Sequence, residues 1–407
     1  MPDEDRLFER LHVADVDQSE LEQLLLTHFS RSAGVSPREI HYLRGESNAV
    51  ALLVRYDDEG ELSAIEAGSA LLSDDAARLE EKVARLLLKA VGDGIGQAVL
   101  FAYLPVTGHF RYGNRFQIVS MPDEAPRPSH LVGDHPLLLQ FTVPESEDFQ
   151  TTNLRRQRVA REIELLCVAL TTSIWHSVGH VLQYRWVVRH GADPADWRSE
   201  FLQEGYMYTG AGGEATAFAD LAQIAPIALT PHNEYYASVG ISAGQVLDLP
   251  ADFGGLLDRF YGASRDDRDR FLRASFWFQH AQRVANSSRS ASFMALVSAI
   301  EALMPPTATS AACEACGKSL GPGATKRFTD FVSQFAPGPT VSTANRRKLY
   351  SLRSALTHGG SLLHSDRDGW TGSMTAKGLD EWDDRRAMWQ IVRVALVNWL
   401  IARDSHA

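Results

Sequence analysis

Hydrophobic residues follow a mixture of helix and strand spacing in the first half of the chain. Leu21, Leu24, Leu25 and Phe29 recur at helical spacing and predict a short helix within residues 1–30. Similar spacing predicts a helix over 74–91. Between these helices, two β-branched runs on either side of the turn-forming Asp57–Gly60 predict a hairpin over 49–67.

The pattern then changes to strands rich in β-branched and aromatic residues, separated by Pro and Gly. The predicted strands are 97–104, 115–120 and 137–143. A helix over 153–172 and a strand-like segment over 173–190 follow. These elements predict an α+β N-terminal domain that spans residues 1–190.

Turn-forming residues dominate 191–262, which has no long periodic helix and predicts an irregular connecting region or small subdomain. From 263 to 407 the apolar residues return to helical spacing. The predicted helices are 266–284, 290–304, 324–335, 344–358 and 381–403. This part is therefore expected to form an all-α C-terminal domain.

The charge of the chain is unevenly distributed. The 407 residues carry a net charge of −11, yet residues 263–407 hold 19 Lys and Arg against 13 Asp and Glu. The rest of the chain holds 21 basic and 38 acidic residues. This asymmetry indicates that an anionic partner would meet the C-terminal part, although charge also varies between domains without any such partner.

The sequence favours a cytoplasmic protein that does not associate with a membrane. The first residues are acidic and have no apolar run behind them, unlike a secretory signal. The longest apolar stretch, 391–402, is too short to span a bilayer and is interrupted by Arg393 and Asn398. Three cysteines in 407 residues do not make a disulfide framework.

Two short motifs are candidates for metal binding. Cys313-Glu-Ala-Cys316-Gly has the spacing of half a zinc knuckle, for which His364 or a second copy of the chain would supply the missing ligands of a structural zinc. The alternative is a pair of loop thiols in a reducing compartment. His176 and His180 have metal-ligand spacing, but Ser177 replaces the glutamate of a metalloprotease helix and the context is strand-like, so a structural role is favoured.

The clearest candidate for catalysis is the segment 353–360. It contains Arg353 and His358, and Gly359-Gly360 follows the histidine. On an ideal helix these two side chains point about 140° apart. One interpretation is a surface arginine followed by a histidine that caps the helix. The other is RNA cleavage, in which histidine transfers protons and arginine stabilises charge on phosphorus while the 2′-OH of RNA is the nucleophile. That chemistry needs no metal.

The residues around this pair resemble a known family. Phe293-Met-Ala-Leu-Val-Ser-Ala-Ile-Glu301-Ala-Leu303, Lys326-Arg-Phe and Leu349-Tyr350-Ser-Leu-Arg353-Ser354-Ala-Leu-Thr-His358-Gly are similar to a HEPN domain (higher eukaryotes and prokaryotes nucleotide-binding). The nearest branch is that of ApeA-type anti-phage proteins. The resemblance covers about 263–407, and residues 1–250 carry none.

The resemblance implies a HEPN-like helical bundle that forms a homodimer or a higher homo-oligomer through 263–407. It implies that Arg353 and His358 of two chains line a cleft that cuts RNA without a metal or other cofactor. Glu301, Tyr350 and Ser354 are the supporting residues, and Ser354 stands where active members often have Asn, Asp or His.

The sequence thus predicts a metal-independent endoribonuclease that acts as an anti-phage defence or toxin-type effector. The alternative is a non-catalytic HEPN module for dimerisation or nucleotide binding.

Overall fold

The computed structural model describes most of the chain. The described residues are 16–29, 31–46, 48–87, 92–121, 127–128, 135–146, 149–171, 174–177, 186–189, 200–203, 215–237, 245–305, 323–338, 343–368 and 375–403.

The chain divides into two compact units, neither of which is a single continuous segment. The first comprises Met1–Gln97, Gln140–Ala160 and Glu214–Phe218, and the second comprises the remaining residues. The sequence pattern instead predicts consecutive segments. Its boundaries at 190 and 262 stay predictions.

The first unit is built on an antiparallel four-stranded sheet. Its strands β1 (Ser32–Ser36), β2 (Glu39–Leu43), β3 (Val50–Tyr56) and β4 (Leu62–Ala67) pair in sequence order. The apolar faces of α1 (Gln18–Phe29) and α2 (Ser73–Leu87) share one core with these strands. The predicted hairpin and both predicted helices are therefore confirmed.

Local chemistry explains the β3–β4 turn. The Asp57 carboxylate accepts hydrogen bonds from the backbone N–H groups of Glu59, at 3.0 Å, and Glu61, at 2.8 Å. Gly60 has a φ of +83°, which favours glycine because a side chain is disfavoured there. The turn residues thus fix the register that brings buried Val54 opposite buried Ile65.

Five of the ten other strands of the described chain form a sheet with the order β10-β5-β9-β7-β6. The members are β5 (Asp93–Ala102), β6 (His109–Tyr112), β7 (Phe116–Ser120), β9 (His135–Pro144) and β10 (Ile174–Ser177). Between β9 and β10 lies helix α3 (Phe149–Leu170). The strands predicted over 97–104, 115–120 and 137–143 and the helix over 153–172 are confirmed.

The other strands described before residue 262 are short. Strand β8 (Arg127–Pro128) pairs with β11 (Trp186–Arg189), which also pairs with β12 (Glu200–Gln203). Strands β13 (Ala228–Thr230) and β14 (Asp248–Pro250) form a parallel pair around helix α4 (His232–Ala237).

Helices make up the described C-terminal part, as the sequence predicts. They are α5 (Phe253–Gly262), α6 (Arg265–Val284), α7 (Arg289–Leu303), α8 (Ala324–Phe335), α9 (Thr343–Thr357), α10 (His364–Arg367) and α11 (Ala376–Ile401). Helix α5 begins ten residues before the predicted helical domain and packs on α11, where the Arg259 guanidinium donates to the Ile401 carbonyl at 2.9 Å. None of the described helices combines the length and apolar character needed to cross a membrane.

Helix α7 is the central element of this helical part. Phe293, Leu296, Val297 and Ile300 are all fully buried, and the helix contacts α6, α9, α10 and α11. A helix that is apolar on nearly every side is stable only when other helices cover it. Helix α7 therefore positions the helices around it, including α9, which carries Arg353 of the predicted site.

Candidate active site

The predicted site lies where α9 packs on the C-terminal half of α7. The Arg353 guanidinium donates to Glu301 Oε2 at 3.0 Å, and the Tyr350 hydroxyl donates to Glu301 Oε1 at 3.0 Å. One carboxylate thus holds two side chains of α9 through both of its oxygens. The structure brings together three of the residues that the sequence analysis names.

This cluster is partly open to solvent. The Arg353 and Glu301 side chains are 28% and 25% exposed, so the ion pair is neither fully buried nor free in water. A guanidinium has five N–H donors. Within the described residues, Arg353 makes one side-chain hydrogen bond, the one to Glu301. Most of its donors are therefore available to an anion.

Tyr350 supports the cluster from its inner side. Its ring packs on Phe328 of α8 with centroids 4.8 Å apart, and the Arg353 guanidinium lies 5.8 Å from the same Tyr350 ring. Burial and the neighbouring Glu301 carboxylate raise the pKa of Tyr350 above its ordinary value. The tyrosine therefore stays a neutral hydrogen-bond donor to Glu301 near neutral pH.

His358 lies at the C-terminal end of α9 and is exposed. Its backbone N–H donates to the Ser354 carbonyl at 3.1 Å, so the helical hydrogen bonds continue through this residue. The helix does not bend between Arg353 and His358, and their side chains therefore leave it about 140° apart. One chain does not bring these two side chains together.

A row of polar residues includes His358. Arg347, Ser351, Ser354 and His358 fall within about 60° of one another around α9, by helix geometry. Three of them are exposed, and Ser354 is half-buried. Arg353 lies on a different side of the helix, toward α7. His358 thus belongs to a polar exposed face, separate from the Glu301 cluster.

The end of α9 is a glycine-dependent Schellman motif. The Gly360 N–H donates to the Ala355 carbonyl at 2.9 Å, and the Gly359 N–H donates to the Leu356 carbonyl at 3.2 Å. Gly359 has a φ of +69°, in the left-handed region. The predicted glycine stop is therefore confirmed, and it fixes His358 as the capping residue.

Substituting Gly359 by alanine tests this stop. The added methyl group meets no atom within 4 Å, so the cost is the left-handed backbone alone. We expect the free energy of unfolding to fall by about 1 kcal/mol, measured by urea denaturation. Gly360→Ala is the matched control, because Gly360 has no positive φ and its added methyl group would lie 3.5 Å from the Ala355 carbonyl. Equal losses from both variants would contradict this account.

Most of the predicted metal ligands lie outside the residues that the structure describes. Cys313, Cys316 and His180 lie outside the described residues, while His176 is in strand β10. The zinc knuckle therefore stays a prediction. Across the described ranges, no three His, Cys, Asp or Glu side chains are grouped as a metal site requires.

Comparison with family models, with curated proteins and with solved structures finds no match to this chain.

Proposed function

We propose that this protein is a metal-independent endoribonuclease whose active site is shared between two chains. The observation that carries the proposal is the continuous α9 helix, with an arginine held by Glu301 on one side and an exposed histidine at its end. The two side chains diverge within one chain, so a shared site requires a second copy. The HEPN-like sequence around them supports this arrangement.

The chemistry needs only these two residue types. The 2′-oxygen of RNA attacks the adjacent phosphorus and forms the O2′–P bond while the P–O5′ bond breaks. One imidazole accepts the 2′-OH proton, and a second, protonated imidazole donates a proton to the leaving 5′-oxygen. The products are a 2′,3′-cyclic phosphate and a 5′-OH. The Arg353 guanidinium stabilises the charge that develops on the phosphoryl oxygens.

Glu301 has a positioning role in this proposal. Its ion pair with Arg353 restricts the arginine side chain, and its second oxygen is engaged by Tyr350. A fixed cation stabilises a transition state better than a mobile one because it needs no reorganisation during the reaction. The basic balance of residues 263–407 would attract an RNA strand.

The biological role that we propose is an anti-phage defence or toxin-type effector. In this role, the N-terminal part senses a trigger or restrains the helical part. The second candidate is a non-catalytic dimerisation or nucleotide-binding module. The Glu301–Arg353 ion pair also fits that candidate, because it joins α7 to α9 whether or not RNA is cut.

Arg353→Ala separates the two functions. A catalytic arginine predicts an RNA cleavage rate about 10²–10³-fold lower. Because the ion pair is about a quarter exposed, the free energy of unfolding is expected to fall by less than about 1 kcal/mol. The measurements are cleavage of a labelled, unstructured oligoribonucleotide and urea denaturation of the same samples.

Two further variants sharpen this test. Arg353→Lys keeps the charge but loses the planar fork, so an intermediate rate is expected. Arg347→Ala is the control, because it removes an exposed arginine of the same helix that is not bonded to Glu301. The nuclease proposal fails if Arg353→Ala lowers stability but cleaves RNA at the wild-type rate.

A further inference from the structure

A cleft at the other end of α7 contains two arginines that the proposed reaction does not use. Its enclosed volume is about 40 Å³, and it opens to solvent. Its lining includes side chains from α7, α10 and α11 and from the segment before α10: Arg289, Leu363, Ser365, Glu381, Trp382 and Arg385. Arg289 lies twelve residues before Glu301 on α7, which places the cleft about 18 Å along the helix from the Arg353 cluster.

Asp366 joins two of the helices that line this cleft. Its carboxylate accepts hydrogen bonds from the backbone N–H groups of Arg289 and Ser290, each at 2.7 Å, and from the Ser288 hydroxyl at 2.9 Å. Burial opposes ionisation, but these hydrogen bonds hold the pKa of Asp366 below its ordinary value. The carboxylate is thus committed to the N-terminus of α7, where it joins α10 to α7.

The arginine side chains are left without anionic partners among the described residues. Neither Arg289 nor Arg385 forms a salt bridge there, and Arg385 Nε is buried without a hydrogen-bond acceptor. Burial and the neighbouring Arg289 charge lower the pKa of Arg385 below its ordinary value. Two half-buried like charges repel each other, so an anion that lies between or beside them would lower the free energy of this arrangement.

Glu381, the acidic residue that lines the cleft, already accepts a hydrogen bond. One oxygen of Glu381 accepts the His364 backbone N–H at 2.6 Å, at the start of α10. The carboxylate stands one helical turn before Arg385 on α11 but makes no ion pair with it. The lining holds two arginines and one glutamate, which leaves one net positive charge among these side chains.

An exposed aromatic ring completes the cleft. Trp382 is 44% exposed, and the Arg386 guanidinium lies 5.4 Å from its ring. An indole face beside two guanidinium groups matches a ligand that joins a flat ring to a phosphate. A simple inorganic anion would use the arginines but leave the tryptophan without a role.

We propose that the Arg289/Arg385 cleft binds a nucleotide, with the two arginines on its phosphate and Trp382 stacked on its base. The nucleotide is either free in solution or one unit of an RNA strand, and both sources present the same chemistry. Arginine suits this task because its fork pairs with two phosphate oxygens at once.

Binding measured by calorimetry on the full chain tests the proposal. The probes are 5′-AMP and a 2′-O-methyl oligoribonucleotide, which lacks the free 2′-OH and stays intact. We expect Arg289→Gln and Arg385→Gln each to weaken binding at least about tenfold. Arg385→Lys should recover part of the loss. Arg273→Gln removes an exposed charge on α6, outside the cleft, and should bind like the wild type.

The two probes distinguish the two sources. Binding of 5′-AMP that is lost in the cleft variants supports a free nucleotide, whereas loss of oligonucleotide binding alone supports an RNA strand. The proposal is overturned if neither probe binds the wild type, or if the glutamine variants, shown to be folded by circular dichroism, bind as tightly as the wild type. Neither probe is cut by 2′-OH attack, so the result does not depend on whether the proposed nuclease activity is present.

Discussion

His358→Ala is expected to lower the rate of RNA cleavage by about 10²–10⁴-fold, because it removes the group that transfers protons in the proposed reaction. The fold should be nearly unaffected. His358 is exposed, and its one hydrogen bond to the described residues is from its backbone N–H to the Ser354 carbonyl, which alanine keeps. A change in the free energy of unfolding within about 0.5 kcal/mol is therefore expected. The rate is measured on an unstructured oligoribonucleotide with an excess of protein.

Three controls separate this reaction from contaminating or metal-dependent cleavage. His358→Asn keeps a polar capping residue without proton transfer and should be as inactive as the alanine variant. An all-deoxy oligonucleotide lacks the 2′-OH and should stay intact. A chelator should leave the wild-type rate unchanged, since the 2′-OH needs no metal to act as nucleophile. Wild-type cleavage rates for both His358 variants would leave the non-catalytic module as the remaining proposal.

The helices of this protein could be predicted because their apolar residues repeat within one continuous segment. The predictions for α6, α7 and α8 agree with the structure to within about a residue. Capping residues contribute to this agreement: Ser264 accepts the Asp267 N–H at the start of α6, and Ser288 accepts the Ala291 N–H at the start of α7.

Elements without such a local pattern were missed. Strand β1 is exposed at every position, so no alternation of apolar and polar residues marks it. Helix α5 lies within 191–262, which was predicted to be irregular, and it has Gly254 and Gly255 in its first turn. It is stable because Leu256, Leu257 and Phe260 are buried, and burial of this kind depends on residues far away in sequence.

Part of the candidate site could be predicted because its residues lie in one continuous segment. Arg353 and His358 lie in one helix with a glycine stop, so their spacing could be read directly. Tyr350 and Arg353 meet Glu301 across about fifty residues of sequence, which only the family resemblance anticipated. Nothing local links Arg289 to Arg385. Their pairing requires that α11 pack against the N-terminus of α7.

Arg393 shows how far a residue's role can differ from its local appearance. In the sequence it interrupts an apolar run. In the structure it is 1% exposed, and its guanidinium lies within 5.2–5.7 Å of the rings of Tyr235, Tyr236 and Trp389. It also donates to the Tyr235 carbonyl at 2.9 Å. Burial lowers the pKa of Arg393, but three aromatic faces offset part of the cost of desolvation.

Arg393→Ala is therefore expected to lower the free energy of unfolding by about 3–5 kcal/mol. The substitution leaves a cavity among the three rings and removes the desolvated cation–π contacts. Arg393→Met fills much of the same volume without a buried charge and should recover at least half of the loss. The measurement is urea denaturation followed by far-UV circular dichroism.

Arg386→Ala is the matched control on the same helix. It also removes an arginine near a tryptophan ring, at 5.4 Å from Trp382, but this arginine is exposed, so the expected loss is below about 1 kcal/mol. Equal losses for Arg386→Ala and Arg393→Ala would show that the buried aromatic contacts contribute no more than exposed ones. A methionine variant as unstable as the alanine variant would instead assign the stabilisation to the charge and its hydrogen bond, rather than to the volume that the side chain fills.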